Sequence, residues 1–396
     1  VGRIAVEGTP AFAWSYDSGT YRARRLIDEE IGEAATRLAT ISVPPRLDVH
    51  YISHFHEDHV KGLPTLANVF EVRRIVAPLL EPWERLAQLV THPSPSYFAV
   101  SLAADPATVL SGLAGTVILV EPGGDPLVPP PEAPVETVDD LPGIAPEFGA
   151  GVHEKSGADA TVKLLSGGRP IWILAPYVPA VLRDERPRFV TELAKLWQVS
   201  EDAVEKRLAD PQEFTSLVGT RKQRTDIRQA YLAALRAAGL PSDQNWTSLL
   251  LYSGPYGSQR RWRSRWWHDL WDDSTLADLR EGSPWGSHAD WLHTGDACLG
   301  QSSIRDEVTA HYGSWLGSLG TLQAPHHGSG GNWSPDLRRW LGAGANVVVP
   351  GVPGFKGWPL PALSLQRDVA ASGWSLVQVT DEPGSRFSDT WTLSTG

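Results

Sequence analysis

Tyr51-Ile52-Ser53-His54-Phe55-His56-Glu57-Asp58-His59-Val60-Lys61-Gly62 places four potential metal ligands, His54, His56, Asp58 and His59, within six residues. The run before it, Leu47 to Ser53, is rich in β-formers (Val49, Tyr51, Ile52) and reads as a buried strand that stops where the histidines begin. The ligands therefore fall on a loop at the carboxyl end of a strand, held by a rigid scaffold. Imidazole and carboxylate together suit zinc, manganese or iron. His54 and His56 are two apart, so one loop can aim both at one ion. Asp58 and His59 start the next turn and can face a second. With twelve histidines in 396 residues, three of them plus an aspartate in this pattern do not read as a chance polar loop.

Working outward, Arg3–Val6 and Ala11–Tyr16 read as a strand pair around Gly8-Thr9-Pro10, closed by Asp17-Ser18-Gly19. Tyr21 to Thr40 has helical spacing (Leu26, Ile27, Ile31, Ala34, Ala35, Leu38). After the ligand loop, a short helix starts at Leu63–Asn68, Arg73–Ala77 reads as a strand and Glu81–Val90 as a helix. Residues 96–112 read as a further helix and Thr116–Val120 as a strand. Pro122 to Pro146 is a Pro/Gly/acid-rich connection. Ala160–Leu165 and Ile171–Leu174 form a hairpin across Ser166-Gly167-Gly168. Residues 184–240 change character: Glu185–Gln198, Glu201–Ala209 and Lys222–Ala238 are helical, separated by Pro211 and Gly219. This is read as a helical insertion, a cap or a protein-interaction arm with a basic edge at Arg221, Lys222, Arg224 and Arg228. The strand pattern resumes at Trp246–Tyr252. An excursion over 255–288 then interleaves Arg260, Arg261, Arg263 and Arg265 with Trp262, Trp266 and Trp267, a composition that can hold phosphates and stack bases. Trp291-Leu292-His293-Thr294-Gly295-Asp296 ends a strand in an acid. A helix over 302–319 precedes Pro325-His326-His327-Gly328-Ser329. The chain closes with helix Pro335–Leu341, strand Asn346–Val349, helix Ala362–Ala371 and a strand pair after Trp374.

Hydrophobic content of 41% and charged content of 20% are those of a globular protein. No apolar run approaches the roughly 20 residues that span a bilayer. Residues 1–30 lack the basic, apolar and small-residue pattern of a secretory leader. One cysteine, Cys298, excludes an internal disulfide, and it reads as a small core residue rather than a ligand. A cytoplasmic location is the expectation. The net charge of −11 argues against broad duplex binding, though a local basic groove remains compatible with it.

His-x-His-x-Asp-His after a strand, with Gly62 beyond, resembles the signature of the metallo-β-lactamase fold superfamily. The order of this loop, Asn245-Trp246-Thr247-Ser248 before an apolar strand, Thr294-Gly295-Asp296 and His326-His327-Gly328-Ser329 is similar to the nuclease-like domains related to the bacterial competence DNA-uptake channel. Phosphorylcholine esterases are relatives of that group. The resemblance runs from about Tyr16 to the end, apart from the insertions. It implies an α/β fold: an αββα sandwich of two mixed sheets flanked by helices, with residues 1–396 as one domain carrying the helical insertion.

It also implies two divalent metal ions, zinc or manganese. His54 and His56 would bind the first, Asp58 and His59 the second, and Asp296 would bridge them. One of His326 and His327 would complete a sphere while the other faces the substrate phosphate. Asp58, His326 and His327 are thus the catalytic candidates, with Asp58 also orienting the water. The Gly328-Ser329 turn would offer N–H donors to an oxyanion, and Arg260, Arg261, Arg263, Arg265 and Trp262 would form a substrate arm. Two departures stand out: the family's His-Pro before the last helix reads Trp358-Pro359 here, near Lys356, and no extra histidine falls well in an intervening strand. His153 reads as lying in a loop, and His268 and His288 in the excursion. The expected activity is phosphodiester or nucleic-acid hydrolysis by a metal-activated water. The alternatives are hydrolysis of a small ester, amide or thioester, and a binding or regulatory module that keeps the fold.

Overall fold

The structure is a computed structural model. It describes residues 1–6, 9–39, 44–90, 95–128, 143–166, 169–240, 246–256, 262–268, 288–317, 319–354, 357, 359–382, 385 and 387–393. In chain order the strands and helices begin β1 (Gly2–Val6), β2 (Thr9–Tyr16), α1 (Arg24–Ala39), β3 (Arg46–Leu47), β4 (Val49–Tyr51), α2 (Glu57–Val60), α3 (Leu63–Val69), β5 (Glu71–Val72) and β6 (Arg74–Pro78). There follow α4 (Pro82–Leu89), α5 (Tyr97–Ala104), α6 (Pro106–Ser111), β7 (Thr116–Val120), β8 (Gly143–Ala145), β9 (Gly151–Lys155), β10 (Val162–Ser166) and β11 (Arg169–Tyr177). Then come α7 (Arg186–Trp197), α8 (Glu201–Ala209), α9 (Pro211–Leu217), α10 (Arg221–Ala237), β12 (Leu250–Pro255), β13 (Trp262–His268) and β14 (Trp291–His293). The chain ends with α11 (Ser302–Tyr312), β15 (Leu319–Gln323), β16 (Leu341–Pro350), α12 (Leu363–Ser372), β17 (Ser375–Val379) and β18 (Phe387–Leu393). The architecture is mixed α/β with mixed sheets.

The chain divides into two compact units that interleave along the sequence. The first comprises Val1–Gly123, Phe148–Ser156 and Val178–Leu249. Its main sheet has the order β1-β2-β4-β6-β7-β9 among the described residues. β1 runs antiparallel to β2, and every other neighbouring pair is parallel. Parallel strands that are covered on both faces read as unbroken apolar runs, and all five residues of β7 are buried. Because β2 and β4 are parallel, Asp17 and the His54 loop leave the sheet at the same edge.

Helices α7 to α10 belong to this unit and pack on one another and on α4 and α5. Their apolar stripes supply the contact: Phe189, Leu193, Phe214, Ile227 and Tyr231 are buried, and the Phe189 ring lies 5.5 Å from Trp83 of α4 and 5.7 Å from Tyr231 of α10. Pro211, read from the sequence as a separator, instead opens α9 at its first turn, where its missing N–H costs nothing. Asp210 caps that helix through the Gln212 and Glu213 amides. The single helix expected over 96–112 is two, since Asp105 ends α5 and caps α6 ahead of Pro106.

The second unit comprises Gly124–Glu147, Gly157–Tyr177 and Leu250–Gly396. Its large sheet has the order β17-β16-β15-β14-β12-β11-β10-β8 among the described residues. The half from β14 to β17 is parallel and the half from β8 to β14 antiparallel. The strand expected to start at Trp246 starts at Leu250. The helix expected over 302–319 ends at Tyr312, because Gly313 turns the chain with φ 52°. His153, expected in a loop, lies on edge strand β9 of the first unit.

In the arginine–tryptophan stretch, β13 pairs antiparallel with β18 over its whole length. Arg260 and Arg261 lie outside the described residues, as do Lys356 and Trp358. Cys298 is buried in the core, as expected. No helix among the described residues is long and apolar enough to cross a membrane.

Candidate metal centre

In the first unit, Ser53 to His59 leave β4 and turn directly into α2, with His56 at its N-cap position. His54, His56, Asp58 and His59 are all buried. The His54 ring lies 4.4 Å from that of His56 and 4.0 Å from that of His59, centroid to centroid. His54 Nε2 is 2.9 Å from His56 Nδ1, and His59 Nε2 is 3.4 Å from Asp58 Oδ2. Four donor-bearing groups therefore converge within one loop.

The nitrogens on the far sides of two of these rings are held. His59 Nδ1–H donates to Asp17 Oδ2 at 2.7 Å. The Ser53 hydroxyl donates to the same oxygen at 2.8 Å, and the Ser53 amide donates to Asp17 Oδ1 at 2.7 Å. With its proton spent on Asp17, Ser53 Oγ accepts from His54 Nδ1 at 2.9 Å. Ser248 Oγ stands 3.4 Å from the same nitrogen. These bonds put the ring protons on Nδ1 and leave the lone pairs of His54 and His59 on Nε2, the arrangement of a metal-binding histidine backed by a carboxylate.

Asp17 occupies the left-handed region with φ 52°, which aspartate tolerates better than most residues. A Cβ on Gly19 would strike the Asp58 carbonyl, so only glycine lets this turn pack beneath α2. The Asp17-Ser18-Gly19 tripeptide, equally readable in the sequence as an ordinary turn, is thus a structural support of the ligand loop.

In the second unit, β14 and β15 are parallel neighbours, so Thr294–Asp296 and Pro325–Ser329 leave the sheet at the same edge. The His326 amide donates to the Gly295 carbonyl at 3.0 Å and ties the two loops. His326 Nε2 lies 3.6 Å from Asp296 Oδ2, and His327 Nε2 4.0 Å from Asp296 Oδ1. Again the far nitrogens are held: His327 Nδ1 donates to the Pro350 carbonyl at 2.8 Å, and His326 Nδ1 to Asn332 Oδ1 at 3.2 Å. Both histidines have positive φ, 48° and 55°. Two consecutive non-glycine residues in this region are a strained arrangement of the kind found where side-chain placement matters.

Within the Gly328-Ser329 turn, the Ser329 amide donates to the His326 carbonyl at 2.9 Å. The residues that could contribute to holding a metal ion are His54, His56, Asp58 and His59 in the first unit, and buried Asp296 with half-buried His327 in the second.

Asn332 has no motif signal, and neither does Ser53 beyond its place before the first histidine. Asn332 also donates to the Asp296 carbonyl at 3.2 Å, so one amide braces both the aspartate loop and His326. The substrate-arm candidates Arg263, Arg265 and Trp262 fall on β13. His153, on strand β9, pairs with the Gly149 carbonyl and the Phe148 ring, and His293, on β14, stacks on Trp291. No family model and no curated protein matches the chain.

Proposed function

We propose that this chain is a metal-dependent hydrolase of the metallo-β-lactamase fold superfamily, with phosphodiesters as its substrate class. The observation that carries the reading is a repeated pattern of ring contacts. His54, His59, His326 and His327 each have Nδ1 engaged with an oxygen partner and Nε2 beside a carboxylate or another imidazole. Side chains packed for structure alone have no reason to repeat that pattern on two separate loops. The donor set of imidazoles and carboxylates fits zinc or manganese.

Bound divalent ions would supply a water of lowered pKa and a Lewis acid for the phosphoryl oxygen. The chain's own residues do the rest. His54, His56, Asp58 and His59 would hold metal from the first loop, and Asp296 would offer a carboxylate ligand from its own loop. Whichever of His326 and His327 is not a ligand faces the substrate phosphate and can carry a proton to the leaving oxygen. Asp17 and Asn332 keep the imidazoles in the required tautomer. The phosphodiester assignment, rather than a lactam or thioester, rests on the resemblance in Asn245–Ser248 and His326–Ser329. It is supported by Ser248, which approaches His54.

The test is hydrolysis of bis(p-nitrophenyl) phosphate by purified protein, before and after chelation and with zinc or manganese restored. Activity that disappears with chelator, returns with metal and is abolished by Asp58→Ala supports the reading. Chelator-resistant activity, or an Asp58→Ala variant as active as wild type, overturns it.

A further inference from the structure

We infer that Gln88 is a positioning residue for the ligand loop, acting through the backbone between His54 and His56. The inference rests on the metal-binding reading of that loop and adds a residue that no motif contains. Gln88 lies near the end of α4, only 2% exposed, between Ala87 and Leu89 in a helix whose Trp83 and Leu86 are also buried. A buried amide is unfavourable unless both its ends are bonded, so an apolar residue would serve packing alone better.

Here both ends are used. Gln88 Oε1 accepts from the Phe55 amide at 3.1 Å, and Phe55 is the residue between the two histidines. Gln88 Nε2 donates to Thr247 Oγ1 at 3.3 Å. Thr247 precedes Ser248, whose hydroxyl stands 3.4 Å from His54 Nδ1. The same segment is fastened again where the Leu249 amide donates to the Ser53 carbonyl at 2.7 Å and the Tyr16 hydroxyl to the Leu249 carbonyl at 2.6 Å. One side chain thus joins helix α4, the ligand loop and the segment bearing Ser248.

The far end of the loop has a parallel tie. Glu57 Oε2 accepts from the Ser96 amide at 3.0 Å and from its hydroxyl at 2.7 Å. Between them, α4 grips the loop before His56 and the start of α5 grips it before Asp58. Of the two ties, only the Gln88 bond reaches the backbone between the paired histidines, so it governs the separation of His54 from His56.

The experiment compares wild type with Gln88→Met, which keeps the shape and removes both bonds, and Thr247→Val, which removes one. Zinc affinity is measured by competition titration, the ligand geometry by the visible spectrum of the cobalt-substituted protein, and the fold by thermal unfolding of the metal-free form. Gln88→Met is expected to bind zinc roughly 10–100-fold more weakly, the range for lost outer-sphere partners, and to shift the cobalt bands. Thr247→Val should fall between it and wild type. Variants with wild-type affinity and spectrum overturn the proposal, whether or not the metal-free protein loses stability. Should Gln88→Met fail to fold, Thr247→Val decides by the same readouts. A wild type that takes up no metal overturns the metal reading and this inference together; a wild type that binds, matched by both variants, overturns this inference alone.

Discussion

Asp17 takes three hydrogen bonds, two from Ser53 and one from His59. It thereby fixes where two imidazole protons reside. Asp17→Ala should weaken zinc binding roughly 10–100-fold, measured by competition titration. The four ligand-type residues of the first loop were legible in the sequence because the motif packs them into six positions. Asp17 was only half legible, because an aspartate, a small residue and a glycine also spell a turn. Asn332 and Gln88 were not legible at all. A buried amide carries no spacing signal, and its partners, Asp296 and His326 for the one and Phe55 and Thr247 for the other, are set by tertiary packing.

At the scale of elements, the β4 and β7 strands and α1 followed their hydrophobic periodicity, while helix boundaries were lost wherever proline had two meanings. Pro106 and Pro211 both begin helices behind an aspartate cap, and the sequence alone does not distinguish a proline that starts a helix from one that ends it. Helix α4 carries a testable electrostatic feature. Glu84 closes a capping box by accepting from the Glu81 amide at 2.8 Å, yet it is only 5% exposed. Burial pushes its carboxyl up to about 7, against the favourable backbone hydrogen bond. The native state therefore keeps a proton that the unfolded chain releases in the ordinary carboxylate range. The stabilisation is complete at acid pH and is lost as pH rises through about 7. Glu84→Gln preserves the cap and cannot ionise. Denaturant titrations from pH 5 to pH 8 should show the wild type losing stability, by up to about 3 kcal/mol from this group, and the variant losing less.

Over the whole molecule, two interleaved units each carry a mixed sheet and a cluster of histidine and aspartate at the carboxyl edge of parallel strands. That edge is where open α/β sheets bind ligands. The sequence revealed the edge in both units, since each motif follows a strand pattern. The division into units was not readable, because each is assembled from distant segments. The fate of the arginine–tryptophan stretch was equally hidden: its partner β18 lies more than a hundred residues away in the chain, and pairing at that distance leaves no local trace. With a net charge of −11, the protein offers few other attractions for a polyanion. Replacing Arg260, Arg261, Arg263 and Arg265 together with alanine should weaken binding of single-stranded DNA and flatten its dependence on salt, since fewer counterions are released. An unchanged salt slope would remove this stretch from substrate binding and leave the metal loops unaffected.

The central claim is that the histidine and aspartate loops bind divalent metal, and metal content per chain tests it most directly. Wild type, Asp58→Ala and Asp296→Ala are loaded with zinc, freed of excess and assayed by elemental analysis. The account predicts about two divalent ions per wild-type chain, as in binuclear hydrolytic sites, and a clear loss in both variants. A wild type that retains no metal, or an Asp296→Ala variant with the full wild-type complement, would contradict it.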